Sequence, residues 1–80
     1  MLTVYIAAAM RRAHYEILPD HEGYFGTIEM LPGVWANAEN LEDCRLELQE
    51  VLEEWIALGL RMGHSFSEID GIRLEIKEAA

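Results

Sequence analysis

Basic residues are scarce in this sequence. Six lysines and arginines stand against fifteen aspartates and glutamates in 80 residues, a formal net charge of −9. The average surface therefore repels phosphates, and the one adjacent basic pair, Arg11–Arg12, is too small for a nucleic-acid footprint. Direct nucleic-acid binding is not expected. An acidic surface attracts a basic protein over long range, although the same charge also keeps a small, oily domain soluble. Cysteine is nearly absent too: Cys44 stands alone, which excludes an internal disulfide and fits a reducing compartment. No apolar run approaches the roughly 20 residues that span a bilayer. In the opening MLTVYIAAAMRR the arginines follow a short apolar run, the reverse of a signal peptide's order. The expectation is a cytoplasmic protein without membrane contact.

Catalytic and cofactor constellations are missing as well. Asp20-His21-Glu22 is the nearest approach to a metal-ligand set, but consecutive loop side chains converge poorly, and His14, Cys44 and His64 are far apart in sequence. His64 directly precedes Ser65, with Ser67 two residues on, a spacing that rarely gives nucleophile–base geometry and brings no orienting third group. Gly23-Tyr24-Phe25-Gly26 lacks the following helix and the lysine of a phosphate cradle. Glu16 and Glu29 on strands are the only acids placed as a metal-dependent nuclease would place them, yet both are expected to face away from the helix. No cofactor, metal or catalytic residue is assigned.

The sequence does carry clear structural periodicity. With a hydrophobic fraction of 51%, residues 1–80 form one domain whose core is of marginal size, so self-association would add buried surface. Leu2, Tyr5, Ile6, Ala9 and Met10 recur three and four apart and predict a short amphipathic helix over Leu2–Arg12. His14–Leu18 alternates, with Tyr15 and Ile17 on the buried face; Pro19–Gly23 turns the chain, and Tyr24–Met30 returns as the second strand of a hairpin. Pro32-Gly33 predicts a further turn, followed by a third strand over Val34–Ala38.

Asn40 as N-cap, Glu42 and Asp43 in the first turn and Gly63 as stop delimit a helix over Leu41–Met62. Its main apolar face is Leu41, Cys44, Leu48, Val51, Leu52, Trp55, Leu58, Gly59 and Met62. Leu46, Ile56, Ala57 and Leu60 form a flanking strip. Asp70-Gly71 turns into an alternating run, Ile72, Leu74 and Ile76, that predicts a last strand. The fold class is α+β, in the order α-β-β-β-α-β: a small antiparallel sheet of three to four strands, one long helix and a short N-terminal one.

Gly23-Tyr24, Leu31-Pro32-Gly33-Val34 and Leu41-Glu42-Asp43, in that order and over roughly Tyr15–Trp55, resemble the HicB antitoxin family. The resemblance implies a truncated ribonuclease-H-like fold without its active site. It also implies that the domain binds and neutralises a HicA-type toxin, a small basic RNA-cleaving protein. The sequence departs from the family in having Ala36-Asn37-Ala38 where Thr-x-Gly is usual, in the Leu2–Arg12 helix, and in showing no operator-binding extension.

On charge and expected exposure, Asp20, Glu22, Tyr24, Phe25 and Glu29 are the candidate partner-binding residues. Leu46, Ile56 and Leu60 are the candidates for a homo-oligomeric contact, since a lone domain needs only one buried helix stripe. Two other readings stand beside this one: a stand-alone homodimeric domain of unknown ligand, and a vestigial metal-dependent nuclease using Glu16 or Glu29.

Overall fold

The computed structural model describes residues 2–74. Helix α1 (Leu2–Arg11) leads into β1 (Ala13–Ile17), β2 (Tyr24–Ile28) and β3 (Leu31–Ala38), and helix α2 (Leu41–Met62) follows. The strands form an antiparallel sheet in the order β1-β2-β3, so β2 is central and, among the described residues, both neighbours are edges. The architecture is the expected α+β fold, α-β-β-β-α over the described residues.

Alternation decides which side of the sheet is covered. Gly26 and Ile28 of β2 and Val34 and Ala36 of β3 turn inward, where they meet Tyr5, Ala8 and Ala9 of α1 and Cys44, Leu48, Leu52 and Ile56 of α2 in one buried cluster. Both helices thus lie on one face. Beyond α2, Phe66 packs edge-on against Trp55 (ring centroids 5.4 Å apart) and Tyr5 (6.4 Å), bridging the two helices. A Cβ on Gly59 would overlap the Phe66 ring, which explains a glycine inside a helix. The Tyr5 hydroxyl donates to the Ser67 carbonyl at 2.6 Å, and Arg12 is ion-paired with Asp70.

Helix α2 has the predicted bounds because its ends are chemically marked. The Asn40 side chain accepts from the Asp43 amide at 2.8 Å. Gly63 takes φ 71°, and the backbone beyond it closes on the helix through a His64 N–H to Gly59 carbonyl bond of 2.9 Å.

Four details differ from the sequence reading. The β2–β3 turn is Glu29-Met30, and Pro32-Gly33 lies inside β3, where an edge strand tolerates a residue without an N–H. A register shift at Thr27/Ile28, with Thr27 opposite Trp35 and Ile28 opposite Leu31, absorbs the extra residues. The buried arc of α2 runs through Cys44, Leu48, Leu52, Ile56 and Gly59, so Ile56 belongs to the core, while Leu41, Leu58 and Met62 are exposed. Ile17 has the inward parity of Tyr15 but is 78% exposed, because α2 lies across β3 and β2 and leaves the end of β1 uncovered. Finally, Ile72 makes only an isolated bridge to Ile69 around the Asp70-Gly71 turn. The remainder of the expected last strand lies outside the described residues.

Candidate functional site

The sheet's second face has no helix over it among the described residues. Cross-strand register places Glu16, Phe25 and Asn37 in one row and His14, Thr27 and Trp35 in the next, all turned away from the buried cluster. The Phe25 and Trp35 rings lie 5.8 Å apart, tilted by 30°, on this open face, and Trp35 is 55% exposed. Diagonal neighbours on adjacent strands are within reach of large rings, which is how β2 and β3 bring the two together. Asn37 is held beside them by donating its side-chain N–H to the Tyr24 carbonyl at 2.8 Å. At the Glu29-Met30 end, His14 Nε2 approaches Glu29 Oε2 at 3.7 Å, with both side chains largely in solvent.

The expected partner-binding residues separate on this frame. Phe25 is on the open face, and Glu29 flanks it. Asp20 and Glu22 are exposed, but they sit in the β1–β2 turn at the other end of the hairpin, and the length of β2 puts roughly 15 Å between them and Glu29. That turn is tightly formed: Asp20 and His21 take φ 57° and 58°, and Leu18 donates to the Gly23 carbonyl at 2.8 Å. Tyr24 is on the wrong side, since its ring packs against the buried cluster and cannot meet a partner across the open face. Trp35, the most prominent residue of the face, is missing from the sequence candidates. Its signal is present in Val34-Trp35-Ala36-Asn37-Ala38, where small residues alternate with one large ring and one amide.

The expected self-association strip also divides. Ile56 is 1% exposed and belongs to the core; Leu60 is half-buried against it, leaving Leu46 alone at the surface, 60% exposed. The helix turns Ile56 inward because the arc through Cys44, Leu48 and Leu52 sits squarely over β3 and β2.

Other features carry less chemistry. An open groove of about 950 Å³ separates α1 from α2, with Ile6, Met10, Tyr15 and Leu41 as apolar lining and Arg11 and Arg45 among its polar residues. Burial raises the Tyr15 phenol above its ordinary pKa, against the opposing effect of Arg45. The Cys44 thiol is buried and its pKa is raised, first by desolvation and then by the charge of Glu47, so it is less reactive than a free thiol. Glu16 and Glu29 are on the same face but do not converge: among the described residues no three His, Cys, Asp or Glu side chains are placed to hold a metal ion. No helix among the described residues is long and apolar enough to cross a membrane.

A family model described as UPF0150-like matches residues 4–67. No curated protein matches the chain. Among solved structures, TTHA0281 from Thermus thermophilus superposes with a TM-score of 0.90 at 40% sequence identity, over 96% of this chain and 95% of the other. The similarity therefore extends over the α1 helix and the sheet alike.

Proposed function

The chain belongs to the UPF0150-like family, and from its open sheet face we propose that it is a non-catalytic, antitoxin-like domain that binds a small basic protein. The observation that carries this reading is the Phe25–Trp35 pair, Trp35 exposed and Phe25 half-buried, between Glu16 and Glu29 on a sheet face that no helix covers among the described residues. Exposed aromatic rings supply contact area at low entropic cost, and interface anchors are enriched in tryptophan and tyrosine. The carboxylates at the rim steer a cationic partner, and a net charge of −9 strengthens that pull. The HicB resemblance of the Gly-Tyr strand, the Leu-Pro-Gly segment and the Leu-Glu-Asp helix start supports a HicA-type RNA-cleaving toxin as the partner class.

The test is to read the frames adjacent to the gene for a short basic protein and to titrate the purified chain with it by calorimetry. Binding is expected, weakening steeply between low and high salt. Trp35→Ala is expected to raise the dissociation constant by roughly 30-fold or more, about 2 kcal/mol, as for a central interface anchor, with the melting temperature nearly unchanged. No heat of binding with that protein would remove the proposal. Incubation of the chain alone with RNA and Mg²⁺ or Mn²⁺ addresses the nuclease alternative, and intact RNA is expected.

A further inference from the structure

Among the described residues, the sheet's two edges differ in charge. The β1 edge spans five residues and includes His14 and Glu16, whereas β3 runs for eight residues, Leu31–Ala38, without one ionisable side chain. Sheet proteins ordinarily guard an edge with lysine, a bulge, proline or brevity. Here Pro32 and the register shift are confined to one end of β3, and Val34–Ala38 is regular. Beside this edge, a shallow groove of about 390 Å³ runs along α2, lined by Gly33, Trp35, Ala36, Asn37, Val51 and a single charged residue, Glu47.

We propose that β3 pairs antiparallel with β3 of a second copy of this chain about a two-fold axis, joining two three-stranded sheets into one of six. The occupant follows from charge. Two copies that each carry −9 repel one another over most of their surfaces. A two-fold antiparallel pairing also sets a strand against its own duplicate, so a charge at the axis faces its own copy. β3 carries no charge to place there in any register, whereas β1 carries Glu16. A basic partner gains little at the same place, since Glu47 is the only carboxylate there, while Glu16 and Glu29 both serve the open face. Pairing satisfies the outward-pointing main-chain groups of both edges. It also makes the two open faces continuous, with a Phe25–Trp35 pair on either side of the joint. The homodimeric contact thus moves from the helix strip to the sheet edge, and it stands whether or not a basic partner exists.

The full chain is tested by sedimentation equilibrium together with amide hydrogen exchange over a range of protein concentrations. Twice the monomer mass is expected, with amides of Val34–Ala38 becoming more protected as concentration rises. Val51→Glu and Gly33→Glu, each placing a like charge on both sides of the joint, are expected to raise the dimer dissociation constant by about tenfold or more; circular dichroism confirms that each variant folds. Should one variant fail to fold, the other and the exchange profile of the unaltered chain decide. A monomeric mass at every concentration overturns the proposal, including the case where β3 amides are already protected because the chain covers its own edge. So does a dimer whose β3 amides do not respond to concentration, or one that survives both substitutions.

Discussion

Gly23 shows how one residue can hold a hairpin in place. Its φ is 96°, and a Cβ there would press into the Ala38 carbonyl of the neighbouring strand end. Gly23→Ala is expected to cost roughly 2 kcal/mol or more, combining left-handed strain with a backbone overlap that nothing flexible relieves; urea unfolding measures it. Ile56 and Leu46, only ten positions apart on one helix, are expected to part company in the same assay. Ile56→Ala opens a core cavity worth about 2–5 kcal/mol, and Leu46→Ala stays within about 0.5 kcal/mol.

The exposed Arg12–Asp70 pair sets an acid dependence. Arg12, first by its hydrogen bonds and then by its charge, holds the Asp70 carboxyl below its ordinary pKa of 3.8. A carboxyl whose pKa is depressed on folding contributes its stability above the unfolded value and loses it as pH falls through the folded one. Asp70→Asn should therefore be less stable than the parent near pH 7, with the two unfolding midpoints converging below about pH 4. At high salt the difference should shrink, because both groups are solvent-exposed.

Among the elements, α2 is the most legible and its packing the least. Asn40 and Gly63 mark its two ends by local chemistry, so the bounds Leu41–Met62 follow from the sequence. Asn40→Ala is expected to cost about 1 kcal/mol, and Gly63→Ala a similar amount, since φ 71° penalises a Cβ even with open space around it. Which side of α2 is buried is a different kind of fact. The helical projection gives an apolar arc wide enough to admit Leu58 and leave out Ile56; only the position of β3 and β2 beneath the helix chooses between them. Likewise Pro32-Gly33 has turn chemistry, but the turn is Glu29-Met30, and Pro32-Gly33 falls in the register shift between Leu31, opposite Ile28, and Trp35, opposite Thr27. The irregularity that the dipeptide marks is real, and it is a bulge in an edge strand.

At the scale of the molecule, the α+β class and the antiparallel hairpins are readable because alternation and helical periodicity are properties of single segments. The binding face is only half readable. Phe25 and Glu29 stand out in the sequence, but the face exists because three strands lie side by side, and neither Trp35 beside Phe25 nor His14 beside Glu29 is a sequence neighbour. Strand alternation alone puts Tyr24, adjacent to Phe25 in sequence, on the opposite side of the sheet. A mass-action prediction follows: if the six-stranded sheet forms, the melting temperature should rise with protein concentration, and scanning calorimetry over a hundredfold range would detect it.

The contacts of α1 set an order of events. Tyr5 and Arg12 find their partners at Ser67 and Asp70, 62 and 58 positions downstream. Tyr5, Ala8 and Ala9 are buried with no residual exposure, in part by what comes after α2. Helix α1 leaves the ribosome before the sheet and α2, yet its apolar stripe cannot be fully closed over until the segment beyond α2 has emerged. The sheet and α2 can assemble during synthesis, while the final docking of α1 waits for these distant contacts. Until then the nascent polypeptide carries an exposed amphipathic helix, so the hazard for this protein lies in its first helix during translation.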